Sequence, residues 1–383
     1  MKKELLTFLL SCIVLGGCAT TSLAPISKDT VLEEDEKRLW KRASEEQHDL
    51  DRSGLLYKDE ALERYVNDVA RKIQPPEIYA VIPFKVKVIK NPYLNAFALP
   101  NGAVYVHTGI LARMDNEAQL ATLLAHEMTH ATNRHSVISF RGVKNKSAVV
   151  ASLQGTIGAV PLVGDMVTSL GALGATSSVY GHSRELESEA DTVGLRLMVQ
   201  AGYDPREAPK LFLHMKKELE EEKITEPFFF GTHPRLEDRV DNFESLLKKQ
   251  YVGQKGILNR ETFLKKTQKM ILDNAQLDLK AGRFSVAQRG IEKYLTAKPN
   301  DAHAYYLLGE VSRQRGEKGD MEKAKEHYQK AASLDSSYCE PNKGIGMIYL
   351  KQGNEKLAVK YFKTYLSLAP DASDRKYIEE YIK

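Results

Sequence analysis

His126-Glu127-Met128-Thr129-His130 put two imidazoles and a carboxylate within five residues. On an α-helix, residues four apart lie on one face, so His126 and His130 can grip a single cation. Histidines at this spacing suit Zn²⁺, and a glutamate directly after the first is placed to take a proton from a water that the metal activates. The pentapeptide alone recurs by chance in unrelated chains, so its surroundings decide. Asn116 with Gln119 forms a helix-opening pair, and Leu120, Leu123, Leu124 and Met128 recur at helical spacing and bury the other side of the helix.

Catalytic zinc keeps three protein ligands and one open position, so a third ligand is needed. One class of zinc peptidase takes a His six positions after the second His, with a Gly between. Those positions are Ser136 and Asn133 here, which excludes that class. His135 misses the register by one and is read as a polar residue at the helix end. The other class takes a Glu from a later helix, and Ser183-Arg184-Glu185-Leu186-Glu187-Ser188-Glu189-Ala190-Asp191 supplies it. Glu187 and Asp191 share a helix face. One can bind the metal while the other accepts a hydrogen bond from a ligand imidazole. Val193, Leu195, Leu197 and Met198 mark this helix as packed, so one carboxylate face points inward.

At these residues the chain resembles the zinc metallopeptidase family of the CAAX prenyl endopeptidase, HtpX and BepA. That family carries His-Glu-x-x-His followed by Glu-x-x-Ala-Asp, matched by Glu187-Ser188-Glu189-Ala190-Asp191. Asn95-Ala96-Phe97-Ala98-Leu99-Pro100-Asn101-Gly102 resembles the strand before the catalytic helix. Ser183-Arg184 stands where the family places it, and Thr232-His233-Pro234 with Arg239 resembles the closing motif. The likeness runs over roughly residues 30 to 250. It implies one Zn²⁺ per chain on His126, His130 and Glu187, with Glu127 as the base. It also implies that His233 can approach the metal as a fourth ligand or gate. Asp191 is the candidate support for a ligand, and Arg239 or Arg184 the candidate for stabilising a developing oxyanion.

The N-terminus carries an address. Lys2 and Lys3 precede an apolar run from Leu5 to Gly17 that is too short for a bilayer span of ~20 residues but has the size of a signal-peptide core. Leu15-Gly16-Gly17-Cys18 resembles a bacterial lipobox, which makes Cys18 the lipidated mature N-terminus. Ala19 after it favours the outer membrane by the same resemblance. Cys339 is then the one thiol left, with no disulfide partner, and is expected to be buried. Removing residues 1–17 takes two Lys and one Glu, so a net charge of +4 becomes +3. No basic block stands out, and nucleic acid is not an implied partner.

The elements that must hold these residues follow. A polar tether covers residues 18–29. Helices are expected over Thr30–Leu50 and Lys58–Ile73, with Pro75-Pro76 ending the second. Residues 84–89, 94–99 and 103–107 read as strands, the last two around the turn Pro100-Asn101-Gly102. A small sheet beside the zinc helix offers a free edge for an extended peptide. His107 at its end is read as structural. Residues 148–180, apolar but broken by Gln154, Pro161 and Asp165, are read as a helical hairpin over the site. Beyond Gln250, Ala287, Ala324 and Ala358 stand 37 and 34 residues apart, with aromatics at matching offsets, which resembles tetratricopeptide repeats. Such repeats stack into a concave groove for protein segments.

The expected fold class is α+β: a mainly helical zinc-metallopeptidase domain with a small β-sheet, followed by an α-helical tetratricopeptide-repeat solenoid. The expected division is 1–17 signal peptide, 18–29 tether, 30–250 peptidase and 268–383 repeats. The functional expectation is a lipid-anchored zinc endopeptidase of the bacterial envelope, facing the periplasm. Its substrates are unfolded or misassembled envelope proteins, its repeats engage protein partners, and its lipid engages the membrane. The rival is a repeat-based assembly factor or chaperone whose protease activity is little used. An intact Glu127 speaks against that rival, because a zinc kept only for structure needs no base.

Overall fold

The computed structural model describes residues 22–142, 182–222 and 236–383. Helix α1 (Glu34–Arg52) starts four residues later than expected. Thr30 is used up in a turn of its own, its N–H donating to the Ser27 carbonyl at 3.1 Å and its Oγ1 accepting from the Ser27 N–H at 2.8 Å. Helix α2 (Glu60–Ile73) starts where Asp59 caps it, accepting the N–H groups of Ala61 and Leu62 at 3.0 Å each. Part of the expected tether is packed: Ile26 is buried, and its N–H donates to the Thr132 carbonyl at 2.7 Å.

A short helix α3 (Pro76–Tyr79) leads into the sheet, made of β1 (Lys85–Ile89), β2 (Ala96–Ala98) and β3 (Ala103–His107) in the order β1-β3-β2. β2 and β3 form the expected antiparallel hairpin, while β1 runs parallel to β3. The pleat sorts the side chains. Val86, Val88, Val104 and Val106 enter the main core with α2, and Tyr105, stacked on Phe97 at 5.3 Å, faces Ala43 and Leu50 of α1. His107 is buried at the strand end, its Nδ1 3.3 Å from the Tyr93 carbonyl.

Helix α4 (Thr108–Arg113) turns the chain into α5 (Glu117–Thr132), which is buried on every side. Its start is tightly held. Asn116 Oδ1 accepts the Gln119 N–H at 3.1 Å, and both side-chain amides donate to Glu207 Oε2 at 2.7 and 2.9 Å. Next door, the Glu117 carboxylate accepts from Tyr65, Tyr203 and Asn259 at 2.8, 2.7 and 2.9 Å, with Lys72 at 3.2 Å. A helix fixed in this way cannot slide, and it carries both histidines.

Helices α6 (Arg184–Gln200), α7 (Glu207–Glu222) and α8 (Leu236–Gln250) complete the first half. The repeats follow as paired helices: α9 (Arg260–Lys280) with α10 (Phe284–Ala297), α11 (Ala302–Arg315) with α12 (Asp320–Leu334), and α13 (Glu340–Lys351) with α14 (Glu355–Leu368). A short α15 (Arg375–Glu380) ends the stack. The buried Tyr328 ring is sandwiched by glycines: a Cβ on Gly309 or Gly344 would come within 2.4 or 2.6 Å of it. Cys339 departs from expectation, being half-buried at the start of α13. Burial and the adjacent Glu340 carboxylate push its thiol up to about 11, which keeps it protonated and unreactive near neutrality.

The two halves share one core. Phe263, Met270, Ile271 and Leu279 of α9 join the same apolar cluster as Leu111, Leu120 and Leu211. The intervening residues pair with the first half, Ile257 N–H to Gly202 at 2.9 Å and Glu117 N–H to Leu258 at 3.0 Å. Behind this lies a buried ionic group. Arg113 bonds Glu218 at 2.5 Å and Asp278 at 3.0 Å, while Arg283 bonds Asp278 at 3.0 Å, also pairs with Glu218, and donates to the Pro92 carbonyl at 2.9 Å. Removing one member of a buried ion pair leaves an uncompensated charge and costs roughly 3–5 kcal/mol. Arg113 would remain in place, so Arg283→Ala should lower stability by about 3 kcal/mol in urea denaturation and expose residues 251–259 to limited proteolysis. An unchanged midpoint and digestion pattern would contradict this junction.

Candidate metal centre

Helix α6 delivers the distant carboxylate by crossing α5 closely. Ser183 caps α6, its Oγ accepting the Leu186 N–H at 3.4 Å. Glu187, Asp191 and Gly194 fall on one face of it. The glycine is where the two backbones meet: a Cβ on Gly194 would lie 3.1 Å from the His126 nitrogen and 3.2 Å from the Ala125 carbonyl carbon. Any side chain here would crowd the α5 backbone and force the helices apart by a few tenths of an ångström.

The crossing brings together the three residues expected to hold zinc. His126 Nε2 and His130 Nε2 are 3.0 Å apart. The Glu187 carboxylate straddles them, Oε2 at 3.5 Å from His126 Nε2 and Oε1 at 3.4 Å from His130 Nε2. Among the described residues, these three offer ligand atoms that all lie within 4.8 Å of one another. Two ligands held tetrahedrally at zinc's usual bond length of about 2.0–2.1 Å stand about 3.3 Å apart, so the donor separations match that ion.

The charge balance fits as well. Glu127, Glu187 and Asp191 are almost wholly buried, and Arg239 is the buried guanidinium among them. Among the described residues, three buried carboxylates thus gather around one buried guanidinium, a setting that favours a cation. Burial and Arg239 push the His126 imidazole down, but Asp191 and Glu187 outweigh them and lift it to about 9.

Each of the two imidazoles is backed by a further group. Asp191 Oδ1 lies 3.0 Å from His126 Nδ1, and the Arg239 guanidinium lies 2.9 Å from the same nitrogen. Arg239 donates to that same oxygen at 2.6 Å, and its guanidinium lies over the Phe212 ring at 4.0 Å. On the other ligand, His135 Nδ1 is 2.9 Å from His130 Nδ1. The His182 ring stacks on His130 with centroids 4.0 Å apart. Sequence spacing missed both contacts. The helix stops at Asn133, Arg134 takes the left-handed conformation with φ 63°, and residues 135–142 are helical again, so ideal-helix register does not apply to His135. Acidic side chains at and just before the start of α1 hold this break in place: Arg134 pairs with buried Glu36, and Arg141 with Asp35 and Glu33 at 2.7 Å each. His182 carries no sequence signal, since only the tertiary fold brings it near.

Arg184 is exposed at the start of α6, apart from the buried cluster. His233, Cys18 and the stretch 148–180 lie outside the described residues. No described helix is long and apolar enough to cross a membrane.

Residues 57–247 match Peptidase family M48, and residues 272–339 and 344–372 match the tetratricopeptide repeat. The chain is an M48 peptidase domain followed by tetratricopeptide repeats. Among relatives of the M48 domain, the beta-barrel assembly-enhancing protease of Escherichia coli (strain K12) is 29% identical over 196 residues, 49% of this chain and 39% of that one. The putative beta-barrel assembly-enhancing protease of Vibrio cholerae is 28% identical over 186 residues, 48% of this chain and 38% of that one. Mitochondrial metalloendopeptidase OMA1 of Schizosaccharomyces pombe is 31% identical over 188 residues, 49% of this chain and 54% of that one. The matched stretch thus spans about two fifths to one half of each relative's length.

If the helix crossing sets the centre of the M48 domain, widening it must disturb the donors. Gly194→Val should destabilise the protein by about 1–3 kcal/mol in thermal or urea melts and weaken divalent-metal binding along with stability. A variant with wild-type stability and metal affinity would show that the close approach is dispensable.

Proposed function

We propose that this chain is a zinc-dependent endopeptidase, with His126, His130 and Glu187 holding one Zn²⁺ and Glu127 acting as general base. The observation that carries the reading is the set of three donor separations near tetrahedral spacing, with a buried carboxylate next to His126 on the same rigid helix. When bound, the cation supplies Lewis acidity, polarising the scissile carbonyl and lowering the pKa of the attacking water toward ~7. Glu127 takes the proton released as water attacks and returns it to the departing amine. Asp191 accepts the Nδ1–H of His126 and so fixes its tautomer and ring plane. Arg239 keeps Asp191 ionised and in place: burial alone would raise that carboxyl, and the guanidinium with His126 brings it below its ordinary value. With its guanidinium engaged by Asp191 and Phe212, Arg239 serves as a support for the ligands.

Substrate would lie along the sheet edge. The β2–β3 hairpin is hydrogen-bonded at 95 with 107 and at 99 with 103, and by antiparallel alternation at 97 with 105, so the backbone groups of Ala96 and Ala98 face away from β3. A small cavity joins Pro100, at the end of this edge, to His130 and Trp40. An extended peptide added to β2 would be led toward the ligand histidines.

The biological setting we assign is the bacterial cell envelope, with Cys18 lipidated, the protein facing the periplasm at the outer membrane, and quality control or assembly of outer-membrane proteins as its work. The lipobox-like Leu15-Gly16-Gly17-Cys18 and the two bacterial relatives named for β-barrel assembly support this. The repeats would present envelope proteins or an assembly partner. His233 remains our candidate for the fourth metal position or its gate.

Glu127→Gln separates the enzyme from the repeat-based assembly factor. It should keep metal content and fold while lowering cleavage of an unfolded outer-membrane protein by at least about 10²-fold. Undiminished cleavage would remove Glu127 as base, and a variant that sustains every cellular role would favour the assembly factor.

A further inference from the structure

The two ligand imidazoles are backed differently, and the backing of His130 has no assigned role. A neutral imidazole carries one N–H, so a ring whose Nε2 lone pair faces a cation must hold its proton on Nδ1. For His126 that proton goes to Asp191, 3.0 Å away. For His130 the atom facing Nδ1 is another imidazole nitrogen, His135 Nδ1, at 2.9 Å. Two N–H groups cannot point at each other, so one nitrogen is donor and the other acceptor. If His135 donated, His130 would turn an Nε2–H toward His126 and Glu187, where the cation belongs. The opposite polarity leaves His135 with its proton on Nε2, which faces Glu189 Oε2 at 3.6 Å, an electrostatic contact longer than a hydrogen bond. Glu189 is itself oriented, since its Oε1 accepts from Asn133 Nδ2 at 2.5 Å. His135 is fully buried, whereas Glu189 stands at the protein surface.

We propose that His135 is a positioning residue for His130: it accepts the Nδ1–H of that ring and aims the Nε2 lone pair at the cation, while the nearby Glu189 carboxylate favours the proton on its own Nε2. The inference rests on the zinc site assigned above. It makes the site asymmetric, with one ligand backed by a carboxylate and the other by a neutral ring whose polarity is set from the surface. Backing groups of this kind are worth about 10–100-fold in metal affinity.

The test is the zinc dissociation constant of the full folded chain, measured by competition with a chromophoric chelator. The proteins compared are wild type, His135→Leu, His135→Asn and Glu189→Ala, each checked first for an unchanged metal-free melting curve. Leu and Asn are close in volume, but Asn keeps an acceptor near the place of Nδ1. We expect His135→Leu to bind zinc at least about tenfold more weakly than wild type and His135→Asn to retain most of the affinity. Glu189→Ala, a surface change that cannot empty the core, should weaken zinc by a smaller factor, and it decides the matter if His135→Leu fails to fold. Equal affinity in wild type and Leu, equal losses in Leu and Asn, or an unaffected Glu189→Ala beside a misfolded Leu variant would each overturn the role of His135 alone. A wild-type chain that binds no zinc would overturn the metal site with it.

Discussion

The structure turns on a cluster of buried charge. Among the described residues, Glu127, Glu187 and Asp191 sit in the interior with the Arg239 guanidinium and two imidazoles 3.0 Å apart. A carboxylate stripped of water is stable only beside a cation or with its hydrogen bonds made. Nearly every local feature serves to keep these groups together: the glycine crossing at Gly194, the Glu117 and Glu207 clusters that pin the start of α5, and the acidic turn of α1 that clamps Arg134 and Arg141. Packing enforces a geometry that electrostatics alone would scatter, and the divalent ion we propose would reconcile the two.

This arrangement was legible in the sequence where chemistry depends on regular spacing. His126 and His130 share a face because a helix repeats every 3.6 residues, and Glu187 with Asp191 follow the same rule. The strands, the Pro100-Asn101-Gly102 turn and the small-residue period of the repeats were readable for similar reasons. What escaped notice lies where regularity breaks. Arg134 in the left-handed conformation swings His135 back onto His130, a contact that register counting excludes. Thr30 prefers a turn with Ser27 to a helix cap. Ile26, in a stretch that composition marks as tether, finds a core position because the end of α5 offers it a backbone partner. The thiol of Cys339 was expected inside, yet it sits half-buried at a helix start beside Glu340.

Composition also hid the closeness of the two halves. A change of pattern after Gln250 suggests separate modules, but α9 contributes Phe263, Met270 and Ile271 to the core of the M48 domain. The ionic group formed by Arg113, Glu218, Asp278 and Arg283 then fixes orientation, since buried ion pairs specify geometry more reliably than they add stability. The first repeat is thus part of the scaffold that supports the histidine helix, and a segment held in the repeats would be presented at a set position relative to His126 and His130.

The most direct test is anomalous diffraction at the zinc edge from crystals of the intact chain. The account predicts one strong peak per molecule, about 2 Å from His126 Nε2, His130 Nε2 and a Glu187 oxygen. Crystals grown with zinc present that show no peak between these three side chains, or a Glu187 side chain turned away from the histidines, would contradict it.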